Sequence, residues 1–123
     1  MTGERIKTHK DLNVWKNSIQ LVKNIYQITS KFPNSELYGL TSQLKRAAIS
    51  IPSNVSEGSA RHSKKEFIQF LYIASGSLTE VETQLLIAKE LKFITESEFE
   101  SLINNINEIR AQLFGLIKYL NKK

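Results

Sequence analysis

The chain has no cysteine among its 123 residues. This absence excludes disulfide bonds and thiolate chemistry, and it removes the most frequent ligand of structural zinc sites. The two histidines, His9 and His62, stand in polar segments, and neither belongs to the Glu-x-x-His pattern of di-iron helical bundles. We therefore expect the protein to bind no metal ion and no cofactor.

Long hydrophobic runs are also missing. The apolar runs are only a few residues long, whereas a membrane-spanning helix needs roughly 20 apolar residues. Residues 1–11 are polar and unlike a secretory signal. We therefore expect a cytoplasmic protein with no membrane partner, in which residues 1–10 form a flexible segment. Because 123 residues with 41% hydrophobic content suffice for one compact core, residues 1–123 are interpreted as a single domain.

The sequence also lacks a recognisable set of catalytic residues. Ser42 and Lys45 match the Ser-x-x-Lys pattern of penicillin-recognising enzymes, but the Ser-Asp-Asn and Lys-Thr-Gly partners are missing. Glu80 and Glu82 are separated by one residue and therefore diverge around a helix instead of forming a carboxylate pair. No glycine-rich phosphate loop occurs. We therefore expect no catalytic site and no enzyme activity.

Apolar residues recur at intervals of three and four along most of the chain, a spacing typical of helices. The first helix is predicted to begin after an N-cap at Asp11 and to end near Lys31, because Pro33 disfavours helix at the residue before it. Its main stripe is Leu12, Trp15, Ile19, Val22 and Tyr26, and a second stripe, roughly 120° around the helix, is Val14, Leu21, Ile25 and Ile28.

The second helix contains a proline. Its predicted core face is Leu40, Leu44, Ala47, Ile51 and Val55. Pro52 removes the hydrogen bond to the carbonyl of Ala48, so we expect a kink, with a break of the helix at Pro52 as the alternative. Small polar side chains around the proline are suited to satisfying the freed backbone groups: Ser50, Ser53, Asn54 and Ser56.

Two capping boxes predict the starts of the third and fourth helices. They are Ser63-Lys64-Lys65-Glu66 and Thr95-Glu96-Ser97-Glu98. The core stripe of the third helix is predicted to be Phe67, Leu71, Ala74, Leu78, Val81, Leu85 and Ala88. The core stripe of the fourth helix is predicted to be Leu102, Ile106, Ile109, Leu113, Leu116 and Leu120. Because no strand pattern competes, the sequence predicts an all-α, antiparallel up-down-up-down four-helix bundle with a kinked second helix.

The helices carry more apolar surface than one bundle needs. Besides the core stripes, the third helix has Ile68, Phe70, Tyr72, Ile73, Leu86 and Ile87, and the fourth has Ile103, Phe114 and Ile117. Exposed in a monomer, they would form a large apolar patch, so we expect self-association, with a thick intramolecular core as the alternative. Gly76, between Ser75 and Ser77, is predicted to lie at a helix–helix contact.

Positive charge is unevenly distributed, with 11 basic and 4 acidic side chains in residues 1–65 against 2 and 7 in residues 66–100. The densest basic cluster is Lys45, Arg46, Arg61, His62, Lys64 and Lys65, with Arg5, Lys7 and Lys10 near the N-terminus. Such a cluster suits phosphate contacts, and Lys45, Arg46, Arg61, Lys64 and Lys65 are the candidate nucleic-acid-binding residues. Ordinary solubility charge without a partner is the alternative.

Three segments resemble a known family. They are Glu36 to Ala48, Ser50 to Gly58, and Glu66-Phe67 with Phe70-Leu71 and Ala74 to Glu80. Together they resemble the four-helix bundle proteins encoded in intervening sequences of bacterial 23S ribosomal RNA genes, which are similar to the accessory variability determinant of diversity-generating retroelements. Val55-Ser56 stands where the pattern usually has Ile-Ala.

The resemblance implies an antiparallel bundle that assembles into a pentameric ring. It also implies binding to RNA or DNA and, as a further partner, a reverse transcriptase or another nucleic-acid enzyme. Lys45, Arg46 and Arg61 match basic positions of the pattern, whereas Ser50, Pro52, Asn54, Glu57 and Gly58 match positions interpreted as structural. We therefore expect a non-enzymatic homo-oligomer that binds nucleic acid, with a protein-binding scaffold or accessory subunit as the alternative.

Overall fold

A computed structural model describes residues 12–122, and this range folds into four α-helices without a strand. The helices are α1 (Asn13–Thr29), α2 (Leu40–Ser59), α3 (Lys64–Glu90) and α4 (Glu96–Leu120), with a 3₁₀ turn at Asn34–Glu36 between the first two. The segment 1–10 that was expected to be flexible and the predicted N-cap Asp11 lie outside the described residues.

The helices form one four-helix bundle. Each helix packs against its neighbours in the chain, and α1 also packs against α4. Because the connections are short, consecutive helices run antiparallel, and the predicted up-down-up-down bundle is confirmed. The C-terminal ends of α2 and α4 therefore share one end of the bundle with the N-terminal end of α3. In residues 12–122, no helix is both long and apolar enough to cross a membrane.

The predicted core of α3 and α4 is largely confirmed. Leu71, Leu78, Leu85, Ile106 and Leu113 are fully buried at the centre. The apolar layer is less complete toward the end of the bundle that holds the α3 N-terminus, where Phe67 is half-buried. In α4 the core residue predicted at Leu116 is displaced by one position: Leu116 is half-buried, and Ile117 is buried instead.

Of the two apolar stripes predicted for α1, the second faces the core of the bundle. The residues of α1 that face the core are Val14, Ser18, Leu21, Ile25, Ile28 and Thr29. The main stripe lies beside α2, where Trp15 is half-buried and Tyr26 is 44% exposed. Ser18 weakens the apolar signal of the true core face, yet it is buried at little cost because its hydroxyl donates to the Trp15 carbonyl at 2.9 Å.

α2 runs without interruption through Pro52, so the alternative of a break at the proline was wrong. The small polar side chains bond backbone carbonyls beside the proline, as Asn54 Nδ2 donates to the Ser50 carbonyl at 2.8 Å and Ser56 Oγ donates to the Pro52 carbonyl at 2.9 Å. These bonds reinforce the turns around Pro52 but do not reach the carbonyl of Ala48, which the proline leaves without its amide partner.

The capping boxes begin α3 and α4 as predicted. At Thr95 the exchange is complete, because the Glu98 amide donates to Thr95 Oγ1 at 3.0 Å and the Thr95 amide donates to Glu98 Oε1 at 2.9 Å. At Ser63 half of the box forms, with the Glu66 amide donating to the serine hydroxyl at 3.1 Å. These bonds fix where α3 begins, and therefore where Lys64 and Lys65 stand.

Gly76 does not lie at a contact between helices of the subunit. The prediction of a helix–helix contact at Gly76 was therefore wrong for contacts within one subunit. A Cβ added to Gly76 would meet nothing within 4 Å. The neighbouring Ser77 does lie at the α2–α3 contact, where its hydroxyl is 2.8 Å from that of Ser50. The glycine of close approach is Gly58, where an added Cβ would stand 2.8 Å from Phe67 Cδ1.

Candidate nucleic-acid interface

The five predicted binding residues fall into two groups. Lys45 and Arg46 lie in the second turn of α2, whereas Arg61, Lys64 and Lys65 surround the turn from α2 to α3. Sixteen positions separate Lys45 from Arg61, which at 1.5 Å per helical residue corresponds to about 24 Å along the bundle. The structure therefore does not bring these residues together into one patch.

Lys45 and Arg46 also diverge from each other, because adjacent residues point about 100° apart around a helix. The ammonium of Lys45 lies 4.5 Å from the centre of the Tyr26 ring, on the side of α2 that faces α1. Arg46 is exposed on the opposite flank, beside Ser77 and Glu80 of α3. The cation–π contact restrains Lys45, while Arg46 faces a groove of its own.

The second group lies at the end of the bundle. Arg61 is exposed, donates to the Glu57 carboxylate at 2.7 Å and lies 4.9 Å from the centre of the Phe70 ring. Lys64 and Lys65 are exposed on the first turn of α3 and line a shallow groove with Leu120 and Asn121. The groove shows directly that the α3 N-terminus and the α4 C-terminus are neighbours.

Sequence reasoning missed two cations at this same end. Lys118 and Lys122 are exposed at the C-terminal end of α4, and Lys118 lies three residues before Asn121, on the same side of the helix. We call the set Arg61, Lys64, Lys65, Lys118 and Lys122 the basic end. The signal that could have found it is the predicted antiparallel topology, which places the α4 C-terminus beside the α3 N-terminus.

Two acidic side chains lie near the basic end. Glu57 is paired with Arg61. Glu66 is exposed in the first turn of α3, and its own amide bonds the Ser63 hydroxyl. Lys64 and Lys65 stand at the positive end of the α3 dipole, an unfavourable position for cations that each costs about 0.3–1 kcal/mol. The basic end is therefore strongly positive and is suited to an anionic partner.

Another recess lies toward the opposite end of the bundle. It measures about 400 Å³ and is lined by residues of α1 and α4 with Lys31 and Glu98 among them. These two side chains form an ion pair. The pKa of Glu98 is lowered, first by the hydrogen bond from Lys31 and then by the backbone hydrogen bond of Thr95. The recess thus holds a structural ion pair, in which the Lys31 ammonium and the Glu98 carboxylate neutralise each other.

The described part of the chain, residues 12–122, presents two apolar surfaces on the flanks of the bundle. Between α1 and α2 runs the apolar groove, about 230 Å³ in volume, lined mainly by Trp15, Ile19, Val22, Ile49 and Pro52. On α3 and α4 stands the apolar ridge of exposed side chains, Tyr72, Ile73, Leu86, Ile87 and Phe114. Tyr72 and Phe114 contact each other edge to face, with ring centres 6.2 Å apart. The ridge has no cover within residues 12–122.

The comparisons with known proteins converge on one family. Residues 10–115 match the model of the 23S rRNA-intervening sequence proteins. A crystal structure from Bacteroides thetaiotaomicron VPI-5482, of a protein with unknown function from the S23 ribosomal protein family, is 27% identical, with a TM-score of 0.79 over 85% of this chain and 95% of that chain. No curated protein matches. The chain therefore belongs to the family of 23S rRNA-intervening sequence proteins.

Proposed function

We propose that this protein is a non-enzymatic homo-oligomer that binds nucleic acid through the basic end. The observation that carries the proposal is the convergence of five exposed cations from the α2–α3 turn, the start of α3 and the end of α4. Three parts of the chain contribute them, and only the fold brings them together. Ordinary solubility charge does not account for two lysines at the unfavourable end of a helix dipole.

A basic surface of this kind contacts phosphates and not base edges. Lysines on a helix surface neutralise backbone charge and release counterions, so binding is tolerant of sequence and falls steeply with salt. The resemblance to the retroelement accessory protein supports nucleic acid as the partner. Lys45 and Arg46, about 24 Å away along α2, belong to separate contacts.

Self-association follows from the two uncovered apolar surfaces. The apolar groove lies on α1 and α2 and the apolar ridge on α3 and α4, so the groove of one subunit and the ridge of the next are on different flanks and can pack together. Contacts between two different surfaces are heterologous and generate a closed ring when the rotation between subunits closes. The pentameric ring implied by the family resemblance is such an assembly.

Gly76 lies within the apolar ridge, three residues after Ile73 and four after Tyr72. A Cβ there would meet nothing within 4 Å, so the glycine leaves room on the ridge for the close approach of a neighbouring chain. A ring would repeat the basic end several times and raise the avidity for a long polyanion.

The second candidate is a protein-binding scaffold, favoured by the same uncovered apolar ridge. In that case the ridge would receive another protein, such as a reverse transcriptase, and the basic end would serve solubility alone. The two candidates make opposite predictions for the binding of bare RNA.

Fluorescence anisotropy with a labelled, structured RNA tests the proposal at two salt concentrations. We expect binding that weakens by at least tenfold between roughly 50 and 200 mM salt, as for a protein with several phosphate contacts. Light scattering on the same sample gives the number of subunits. Weak retention that is insensitive to salt would favour the scaffold, and a folded monomer would contradict the assembly.

A further inference from the structure

A polar groove crosses the middle of the bundle between α2 and α3, away from the basic end. It measures about 310 Å³, at the lower end of the roughly 300–1,000 Å³ of small-ligand sites. Its lining is Gln43, Arg46, Ala47, Ser50, Ser77 and Glu80. The groove exists because the residues at its base are small: Ala47 is 6% exposed, and the hydroxyls of Ser50 and Ser77 lie 2.8 Å apart.

A buried glutamine lies at one end of this groove. Gln84 is only 6% exposed, and its Nε2 donates to Gln43 Oε1 at 3.3 Å and to Glu80 Oε2 at 3.5 Å. Its Oε1 is buried and has no hydrogen-bond partner among the described residues. Buried polar atoms without a partner are rare in folded proteins, and Gln84 is the polar member of a face of α3 whose other buried residues are apolar. Gln84 ties the Gln43 and Glu80 side chains together across the helix contact and so orients both.

Arg46 and Glu80 bring opposite charges to the two sides of the groove. Both side chains are exposed, and neither belongs to an ion pair within residues 12–122. The guanidinium offers a planar fork of donors, and the carboxylate offers two acceptor oxygens. A matching ligand presents acceptors to Arg46 and adjacent donors to Glu80 on one planar group.

We infer that this groove binds an unpaired guanine base of the bound RNA, an inference that rests on the proposed function. Guanine carries the acceptors O6 and N7, which arginine contacts with two hydrogen bonds. Its N1–H and exocyclic N2–H₂ are adjacent donors on the Watson–Crick edge, where unpaired bases of RNA are read, and they match the two oxygens of Glu80. Adenine, cytosine and uracil each lack this pair of donors. The basic end then supplies affinity, and the groove supplies a preference for one base.

The test compares an oligouridine that carries one central guanosine with the same oligonucleotide carrying uridine, adenosine or inosine at that position. We expect the guanosine form to bind on the order of tenfold more tightly than the uridine form, the effect of one good pair of base contacts. Inosine lacks the N2 amino group, so it is expected to lose a large part of this preference. Glu80→Gln and Arg46→Lys should each reduce the ratio of the guanosine affinity to the uridine affinity.

Glu108→Gln is the matched control, because Glu108 is an exposed carboxylate on α4 far from the groove. It should keep the full guanosine preference, and circular dichroism should show the same helix content for all variants. Equal, salt-dependent binding of the guanosine and uridine forms would overturn the guanine site and leave the proposed function standing. If neither oligonucleotide binds while the structured RNA does, the guanine site fails and the proposed function stands; if no RNA binds, both fail.

Discussion

Gly58 and Phe67 lie so close together that a Cβ built on the glycine would stand 2.8 Å from Phe67 Cδ1. The same Cβ would stand 2.8 Å from Phe70 Cβ, an atom that cannot move without the backbone of α3. The contact lies just before the turn that carries Arg61. The absence of one methyl group at Gly58 therefore sets how α2 meets α3, and with it the position of the basic end.

Substituting Gly58→Ala should destabilise the protein. The added methyl group raises helix propensity by about 0.5–1 kcal/mol, but overpacking against Phe70 costs roughly 1–3 kcal/mol. We expect a net loss of stability, measured as a lower midpoint of urea denaturation. Gly115→Ala is the control, because its Cβ would meet nothing within 4 Å and the variant should be slightly more stable. A Gly58→Ala protein as stable as this control would contradict the packing.

Gly76→Leu should act on assembly and not on the fold of the subunit. The leucine side chain points away from the subunit core, so helix content should be unchanged, whereas close approach to the apolar ridge is blocked. We expect the native mass measured by light scattering to fall. Asn104→Leu, which adds a leucine at an exposed position of α4, should retain the wild-type mass. An unchanged mass in Gly76→Leu would place the subunit contact elsewhere.

The lowered pKa of Glu98 predicts a dependence of stability on pH. Because the folded-state pKa lies below the unfolded value, the carboxylate stabilises the protein above the usual glutamate range near about pH 4.3, and this contribution is lost as pH falls through the folded-state pKa. Glu98→Gln should therefore be less stable than wild type at neutral pH, and the difference should shrink in acid. Thermal melts from neutral to acidic pH measure it.

The corresponding control is Glu100→Gln, because Glu100 is exposed on the same helix. Its difference from wild type should change much less with pH. If the stability difference of Glu98→Gln stays constant across this range, the ion pair with Lys31 does not contribute to folding.

The helices could be predicted from the sequence because their signals are local. The capping serine and threonine, the proline after α1 and the three-and-four spacing each act within one or two turns. Which stripe of α1 faces the core is not a local property, because two apolar stripes satisfy the same periodicity. The buried Ser18 makes the stripe that faces the core less apolar than it would otherwise be. Hydrophobicity alone therefore does not identify which stripe faces the core.

The candidate site was less predictable for the same reason. Lys45 and Arg61 belong to the same basic cluster of the sequence, but the helix between them places them about 24 Å apart along the bundle. Lys118 and Lys122 are more than fifty positions from Lys64, and the antiparallel topology places them at one end of the bundle. The polar groove with Gln84 depends on which faces of α2 and α3 meet, and periodicity alone does not give that register.

Replacing both Lys64 and Lys65 by glutamine separates a binding role of the basic end from a structural one. Removing two cations from the positive end of the α3 dipole should leave stability unchanged or slightly raised. RNA affinity should nevertheless fall, and the slope of log affinity against log salt should decrease in magnitude by about 1.4 if each lysine contacts one phosphate of a single strand. Lys23→Gln combined with Lys92→Gln, at exposed positions in the second half of α1 and in the turn between α3 and α4, removes the same charge away from the basic end and should change the slope much less. Equal effects of the two double variants would mean that net charge alone attracts the RNA, and the basic end would then have no special role.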